Sequence, residues 1–277
     1  MIRLAVRVSH ADAADALAEL LAFSPAGVEE VDLDDEDLVE YVLYGAPGEL
    51  PSLPALRASV GGALVDVATS EIEDDWGERW RSFHHPAEIA GALLVRAPWH
   101  EPALAAAGLI DIVIEPAQAF GTGAHATTRG CLELLVRLAR NGEAAGPLLD
   151  IGTGSGVLAI AAAKLGYAPV LAVDNDEESL AATRANAEAN GVALDVGRLD
   201  LRSDPLPGVP TVVANLLAPL LLVLSARLER APGTLIASGL LREQADDVAA
   251  AFAWRHRMRE RARIEDGDWA AVLLATS

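Results

Sequence analysis

The sequence predicts an α/β protein, a doubly wound and mostly parallel sheet with helices on both faces, preceded by a small α+β domain. Hydrophobic residues make up 52% of the 277 positions and aromatic residues only 4%, so the core must be built from Ala, Val, Leu and Ile. From Pro147 onward, short apolar runs alternate with longer runs of helical period, the pattern of strands joined by crossover helices. Ahead of them the elements follow the order β-α-β-β-α-β of a split βαβ, ferredoxin-like unit.

In that first unit Ile2 to Val8 alternates apolar and polar residues, as a strand does. Ala11 to Phe23 reads as a helix with Leu17, Leu20 and Leu21 inward, stopped by Ser24, Pro25 and Gly27. Gly27 to Asp32 and Leu38 to Tyr44 read as strands, split by the acidic turn Asp34-Asp35-Glu36-Asp37. Leu53 to Val60 reads as a second helix and Ala63 to Thr69 as the last strand. The domain boundaries expected from this are 1–69, a connector at 70–90 holding Glu71 to Asp75, Trp76 and Trp80, and a second domain at 91–277.

In the second domain Arg129 to Arg140 reads as a helix that Thr127 or Thr128 caps, with Cys131, Leu132, Leu135 and Leu138 on its core side. Leu148 to Ile151 is a strand, Ser155 to Leu165 a helix and Val170 to Val173 a strand. Glu177 to Asn190 is a helix closed by Gly191, with Asp176 and Glu177 as dipole-favoured acids at its start. Thr211 to Leu216, Leu220 to Glu229, Thr234 to Ser238, Glu243 to Ala253 and Trp269 to Ala275 continue the alternation as strand, helix, strand, helix, strand. Arg255, Arg257, Arg259, Arg261 and Arg263 alternate along one face of a possible strand, which reads either as a basic face for nucleic acid or as a solvated edge that discourages strand pairing. Ligands of such sheets sit at the carboxyl ends of the strands, so chemistry is expected just after Ile151, Val173 and Ala214.

Composition narrows the class of function. The formal net charge is -20, and residues 1–80 hold 18 acids against 4 bases. Nucleic-acid binders carry a basic surface that displaces counterions, so no direct nucleic-acid partner is expected; an acidic first domain attracts a basic protein. Ordinary solubility charge explains the same numbers. The longest apolar candidate for a membrane span, Thr211 to Leu224, holds Asn215 and Pro219 and falls short of the roughly 20 residues needed. The first residues lack the apolar block of a signal peptide, and a monomer in the cytoplasm is the expectation. A single cysteine, Cys131, excludes an internal disulfide, and no His, Asp and Glu set has metal-ligand spacing.

Four motifs carry chemistry. Leu149-Asp150-Ile151-Gly152-Thr153-Gly154-Ser155-Gly156 is a strand-to-helix glycine turn with the spacing G-x-G-x-G, which either admits a ligand close to the backbone or is purely structural. Asp174 ends the next strand, where such folds place a carboxylate for two ribose hydroxyls. Together these indicate an adenosine-containing cofactor without choosing between nicotinamide and S-adenosylmethionine. Val213-Ala214-Asn215-Leu216-Leu217-Ala218-Pro219 makes that choice. An Asn carbonyl at a strand end beside the cofactor accepts hydrogen bonds from an amine and aims its lone pair, although a strand-end Asn also caps helices. Ala119-Phe120-Gly121-Thr122-Gly123-Ala124-His125-Ala126-Thr127-Thr128 reads as a loop shaped to close over a ligand.

The last run, the glycine turn and Asn215-Leu216-Leu217-Ala218 together resemble the ribosomal protein L-eleven methyltransferase family. Asp75-Trp76 through Trp80 to Ile89, Ala237 to Leu241, and Asp268-Trp269 resemble it too. Ala124, Ala126 and Leu216 stand where the family usually has Thr, Pro and Ile. The resemblance implies a substrate-recruiting first domain, a flexible connector and a Rossmann-like class I methyltransferase domain using S-adenosyl-L-methionine. By position it makes Thr128, Gly152, Gly154, Asp174 and Asn215 cofactor contacts. The substrate it implies is ribosomal protein L-eleven, modified at lysine ε-amines and the N-terminal α-amine. Asn215 then positions the amine, and no general base is assigned beyond His125 as a weak contender. Rival readings are an N-methyltransferase of another protein, a nucleobase or a small amine, and a non-catalytic cofactor-binding module of the ribosome.

Overall fold

A computed structural model describes residues 2–13, 16, 17, 20, 28–31, 37–45, 56, 64–71, 85–101, 108–115 and 125–276. Its contacts divide the chain into two units, Met1–Phe83 and His84–Ser277, and the division falls inside the 70–90 connector. The first unit is an antiparallel sheet of β1 (Ile2–Ser9), β2 (Glu29–Val31), β3 (Leu38–Gly45) and β4 (Leu64–Glu71) in the order β2-β3-β1-β4, the order of a split βαβ. Alternation does the work here. Leu4, Val6 and Val8 of β1 and Val39, Tyr41 and Leu43 of β3 share one core with the helical residues Ala16, Leu20 and Leu56. On the other face Glu40 accepts from Arg3 at 2.6 Å and Arg7 at 2.8 Å. Burial alone would raise this carboxyl, and the two guanidiniums hold it below its usual range. Leu21, the stop at residues 24–27, the turn at 34–36, Trp76 and Trp80 lie outside the described residues, as does most of the helix expected at 53–60.

The second unit opens with three short strands that the sequence reading did not assign: β5 (Ala87–Ile89), β6 (Leu93–Arg96) and β7 (Ile110–Val113). At three or four residues each they show too little alternation to be read. β5 pairs antiparallel with β6, and β6 parallel with β7. Helix α1 (Ala126–Arg140) then leads into the large sheet, which is built by β8 (Leu148–Ile151), α2 (Val157–Leu165), β9 (Val170–Asp174), α3 (Glu177–Ala189) and β10 (Asp195–Arg198), followed by β11 (Thr211–Asn215), α4 (Ala218–Arg227), β12 (Thr234–Leu241), α5 (Arg242–His256), β13 (Arg259–Asp266) and β14 (Trp269–Ala275). The strand order is β10-β9-β8-β11-β12-β14-β13. The first five pair in parallel, and β14 runs antiparallel between β12 and β13.

Central strands bury both faces. On β11, Val213 joins one core with Ile236, Ala271 and Leu273, while Val212 and Ala214 join another with Leu235, Ala237 and Val272. That is why these strands read as unbroken apolar runs. Several boundaries differ from expectation for local reasons. α2 starts at Val157 because Gly156 before it is left-handed (φ 84). α4 starts earlier, at Ala218, since Pro219 is tolerated in a first turn. Neither Thr127 nor Thr128 caps α1; the His125 ring does, accepting from Thr127 N. The arginine run is divided: Arg255 belongs to α5, Arg257 is its left-handed cap, and only Arg259 onward is strand. Arg261 and Arg263 are ion-paired with Glu143, Asp246 and Glu260 rather than merely solvated. No helix among the described residues is long and apolar enough to cross a membrane.

Helix α1 rests on β14 with almost no clearance. A Cβ built on Gly130 would lie 2.8 Å from Ala271 Cβ. Helix propensity favours Ala over Gly by about 1 kcal/mol, but overpacking a rigid contact costs about 1–3 kcal/mol. Gly130→Ala should therefore lower stability, by about 1 kcal/mol in urea unfolding; a gain would show that the α1–β14 contact yields.

Candidate functional site

At the carboxyl edge of the sheet, pairing sets the site's geometry. Ile151 of β8 pairs with Val173 of β9 on one side and Ala214 of β11 on the other, and Ala214 pairs with Ala237 of β12. Gly152, Asp174, Asn215 and Ser238 are the next residues along four adjacent strands. The chain winds outward from β8 through β9 to β10, then returns to β11 on the other side, so the crevice between β8 and β11 is the switch point where such sheets bind ligands.

The glycine turn fills one side of this crevice. Gly152 has φ 74, and a Cβ on it would lie 2.5 Å from Leu216 Cδ2, so a side chain here meets both strain and collision. Gly154 N donates to Asp174 Oδ2 at 3.1 Å, and Asp176 N donates to Asp174 Oδ1 at 3.2 Å. Each carboxylate oxygen keeps a second lone pair for a ligand hydroxyl. Asp176 itself caps α3, accepting from Glu178 N and Ser179 N, and those bonds hold its carboxyl below the usual range. The turn is held from below by α3. Thr183 Oγ1 donates to Gly154 O at 2.9 Å and Asn186 Nδ2 to Ser155 O at 2.8 Å. The same helix reaches β7, because Glu115 N donates to Asn186 Oδ1 and Val113 N to Asn190 Oδ1. Sequence reasoning missed Thr183, Asn186 and Asn190; their signal is three polar residues at spacings of three and four on the inward face of a helix.

Asn215 forms the other side. It is half-buried, and its Nδ2 lies 3.4 Å from both Thr127 Oγ1 and Thr128 Oγ1, the long end of the hydrogen-bond range. Thr127 Oγ1 is 2.8 Å from His125 Nδ1, which also accepts from Thr127 N. A hydroxyl that donates to His125 must accept from Asn215, so the amide nitrogen faces the threonines and Oδ1 faces away. Among the described residues Oδ1 has no donor. Burial holds the His125 ring below its usual range, and a neutral ring accepting at Nδ1 carries its proton on Nε2. That arrangement argues against His125 as a general base. Its ring packs edge-on against Trp269 at 5.1 Å. Behind Asn215, Gly239 (φ 82) lets the Leu216 carbonyl approach; a Cβ there would sit 2.5 Å from Leu216 O.

Thus Gly152, Gly154, Asp174 and Asn215 meet at one edge, as their motifs suggest. Thr128 is buried, and its hydroxyl lies against the Asn215 amide. Residues 119–124 of the fourth motif lie outside the described residues. No group of three metal-ligating side chains occurs among the described residues.

Beneath the turn lies a further group. Asp150 is fully buried; Thr153 Oγ1 donates to its Oδ2 at 2.8 Å, and Oδ1 has no hydrogen-bond partner among the described residues. Burial pushes this carboxyl up to about 7, against the opposing Thr153 bond. A folded-state pKa above the unfolded value stabilises the fold below about pH 4, and that contribution is lost as pH rises towards 7. The melting temperature of the wild type should therefore fall relative to Asp150→Asn between pH 4 and 7. Parallel curves for the two proteins would show that Asp150 stays ionised throughout.

Known proteins resemble this chain over most of its length. The family described as Ribosomal protein L11 methyltransferase (PrmA) matches residues 52–276. A ribosomal protein L11 methyltransferase of Geobacter sp. (strain M21) is 38% identical over 266 residues, covering 87% of this chain and 86% of the relative. One from Dechloromonas aromatica (strain RCB) is 37% identical over 274 residues, covering 89% of each. The crystal structure of the ribosomal protein L11 methylase from Lactobacillus delbrueckii subsp. bulgaricus superposes with a TM-score of 0.59 at 29% identity, covering 70% of this chain and all of that one. With a family match that begins in the first unit and runs through the whole second unit, the chain belongs to the ribosomal protein L11 methyltransferase family.

Proposed function

We propose that this chain transfers methyl groups from S-adenosylmethionine to amino groups of ribosomal protein L11, both lysine ε-amines and the N-terminal α-amine, acting as a monomer in the cytoplasm. The observation that carries the reading is the half-buried Asn215 at the switch point, one strand from Gly152 and two from Asp174, with its carbonyl directed away from the threonines that hold its nitrogen.

The residues present fit the cofactor. Asp174 would hold the ribose hydroxyls with the lone pairs left after its two backbone bonds. The turn from Gly152 to Gly156 would let the cofactor rest against backbone. When bound, S-adenosylmethionine supplies an electrophilic methyl group on a cationic sulfur. The amine must arrive neutral, and a free lysine has a pKa near 10.4. Leu216 and the exposed Leu217 give the entrance of the crevice an apolar character, which disfavours the ammonium form. Asn215 Oδ1 would accept an N–H of the neutral amine and fix the direction of its lone pair, a positioning contribution. The released proton passes to solvent, and the chain needs no dedicated base. The acid-rich residues 1–80 would recruit a basic ribosomal protein by charge, with the connector bringing it to the second domain.

Mass spectrometry of purified L11 incubated with the protein and S-adenosylmethionine should show steps of about 14 Da, the mass of a CH₂ unit added with each methyl in place of a proton. A nucleobase or free amine that gains methyls while L11 does not would overturn the substrate. Asp174→Ala should weaken cofactor binding about 10- to 100-fold in calorimetry, the loss of hydrogen bonds to a charged group. Asn215→Ala should bind cofactor nearly normally but lower kcat about 100-fold or more. Full turnover in Asn215→Ala would remove the amine-positioning role.

A further inference from the structure

One surface of the second unit is not used by the proposed reaction. It lies at the opposite end of the large sheet, where α5 turns into β13. Arg259 pairs with Ala275, and Ala275 with Thr234, the first residue of β12, so a strand's length separates this surface from Asn215. Trp254, in the last turn of α5, is 79% exposed, well above the other exposed large apolar side chains. The Arg255 guanidinium stands 5.1 Å from its ring centroid, a cation–π contact on one face of the indole. Two open hollows of about 630 and 360 Å³ adjoin at His256. Arg257 and Arg259 line the larger, Trp254 and Arg255 the smaller.

The charges here are unusual for this chain. With 41 acids against 21 Lys and Arg, an arginine finds an acid readily, and the neighbours do: Arg242 pairs with Glu265, Arg261 with Glu143, and Arg263 with Asp246 and Glu260. Arg255, Arg257 and Arg259 are exposed and, among the described residues, none has an acidic partner. Three unneutralised guanidiniums beside an open indole call for a ligand that is anionic and also carries flat apolar groups. A purely acidic peptide, such as oligoglutamate, would meet the arginines and leave the indole in water. A single nucleic-acid strand offers both, since phosphates match guanidiniums and any base has a π-face to stack on an aromatic ring.

We propose that this surface binds a single nucleic-acid strand, with phosphates on Arg255, Arg257 and Arg259 and an unstacked base on Trp254. The net charge of -20 argues against nucleic acid for the chain as a whole, but at a Debye length of about 8 Å the local cluster dominates. This inference does not rest on the catalytic reading, and its test is a binding measurement. A dye-labelled twelve-residue oligouridylate, titrated with the full chain at 50 mM salt and followed by anisotropy, should bind saturably. Replacing Arg255, Arg257 and Arg259 together by Gln should weaken binding at least tenfold and reduce the slope of log K against log salt by about two, at roughly 0.7 per phosphate. Trp254→Ala should weaken it about 5- to 100-fold, while Trp254→Phe keeps most of the affinity. Unchanged cofactor affinity in every variant reports intact folding. Absence of saturable binding, or an affinity unmoved by the triple replacement, would overturn the proposal. So would oligoglutamate competing as well as RNA, or self-association that the variants abolish; these assign the surface to an acidic protein or to a second copy of the chain.

Discussion

The pairing of Ile151 with Ala214 across β8 and β11 is the constraint on which the rest of the site depends. Had β11 joined the outer edge of β10 instead, Gly152 and Asn215 would stand three strand spacings apart rather than one, and no single small ligand would touch both. The chain has to leave β10, cross the sheet and insert β11 beside β8, and the two-sided burial of β11 is what rewards that insertion. Val212 and Ala214 fill one core and Val213 the other, each essentially inaccessible to water. The chemistry at the sheet edge is thus a by-product of a packing decision made inside it.

Around that junction the polar groups are organised in two shells with different tasks. Thr183 and Asn186 hold the carbonyls of the glycine turn, and Ser238 reaches both Thr127 O and Ala270 O, tying α1 and β14 to β12. None of these side chains needs to meet a ligand. They fix the positions of those that do, and a fixed group does not have to reorganise when charge shifts nearby. Asp150 is the exception, a buried carboxyl with one oxygen that has no partner among the described residues.

Most of the large sheet was legible because its strands are unbroken apolar runs and its helices begin and end on recognisable residues. Asp174 and Asn215 stood out as polar residues ending such runs. What escaped has a physical cause in each case. Strand β10 is only partly buried at an edge, so Asp195–Arg198 carries no apolar signature. β5 to β7 are too short for periodicity to count. The capping role of His125 contradicts propensity, since an imidazole is rarely a cap, and only the neighbouring Thr127 and Trp269 make it one. The arginine alternation from 255 to 263 looked like one object because spacing cannot show that a helix ends in its middle; Arg257 adopts the left-handed conformation that breaks it.

Gly239 has an evolutionary meaning. Where it meets Leu216, backbone packs on backbone, and there is no side chain to exchange for a larger or smaller one. That wall is withdrawn from the repertoire of ordinary point mutation. The exposed Leu217, the next residue along the chain after Leu216, has no such restriction. A lineage drifting towards a different acceptor would therefore change its preference at Leu217 while inheriting Gly239 unaltered, so that one position records ancestry and its neighbour records use.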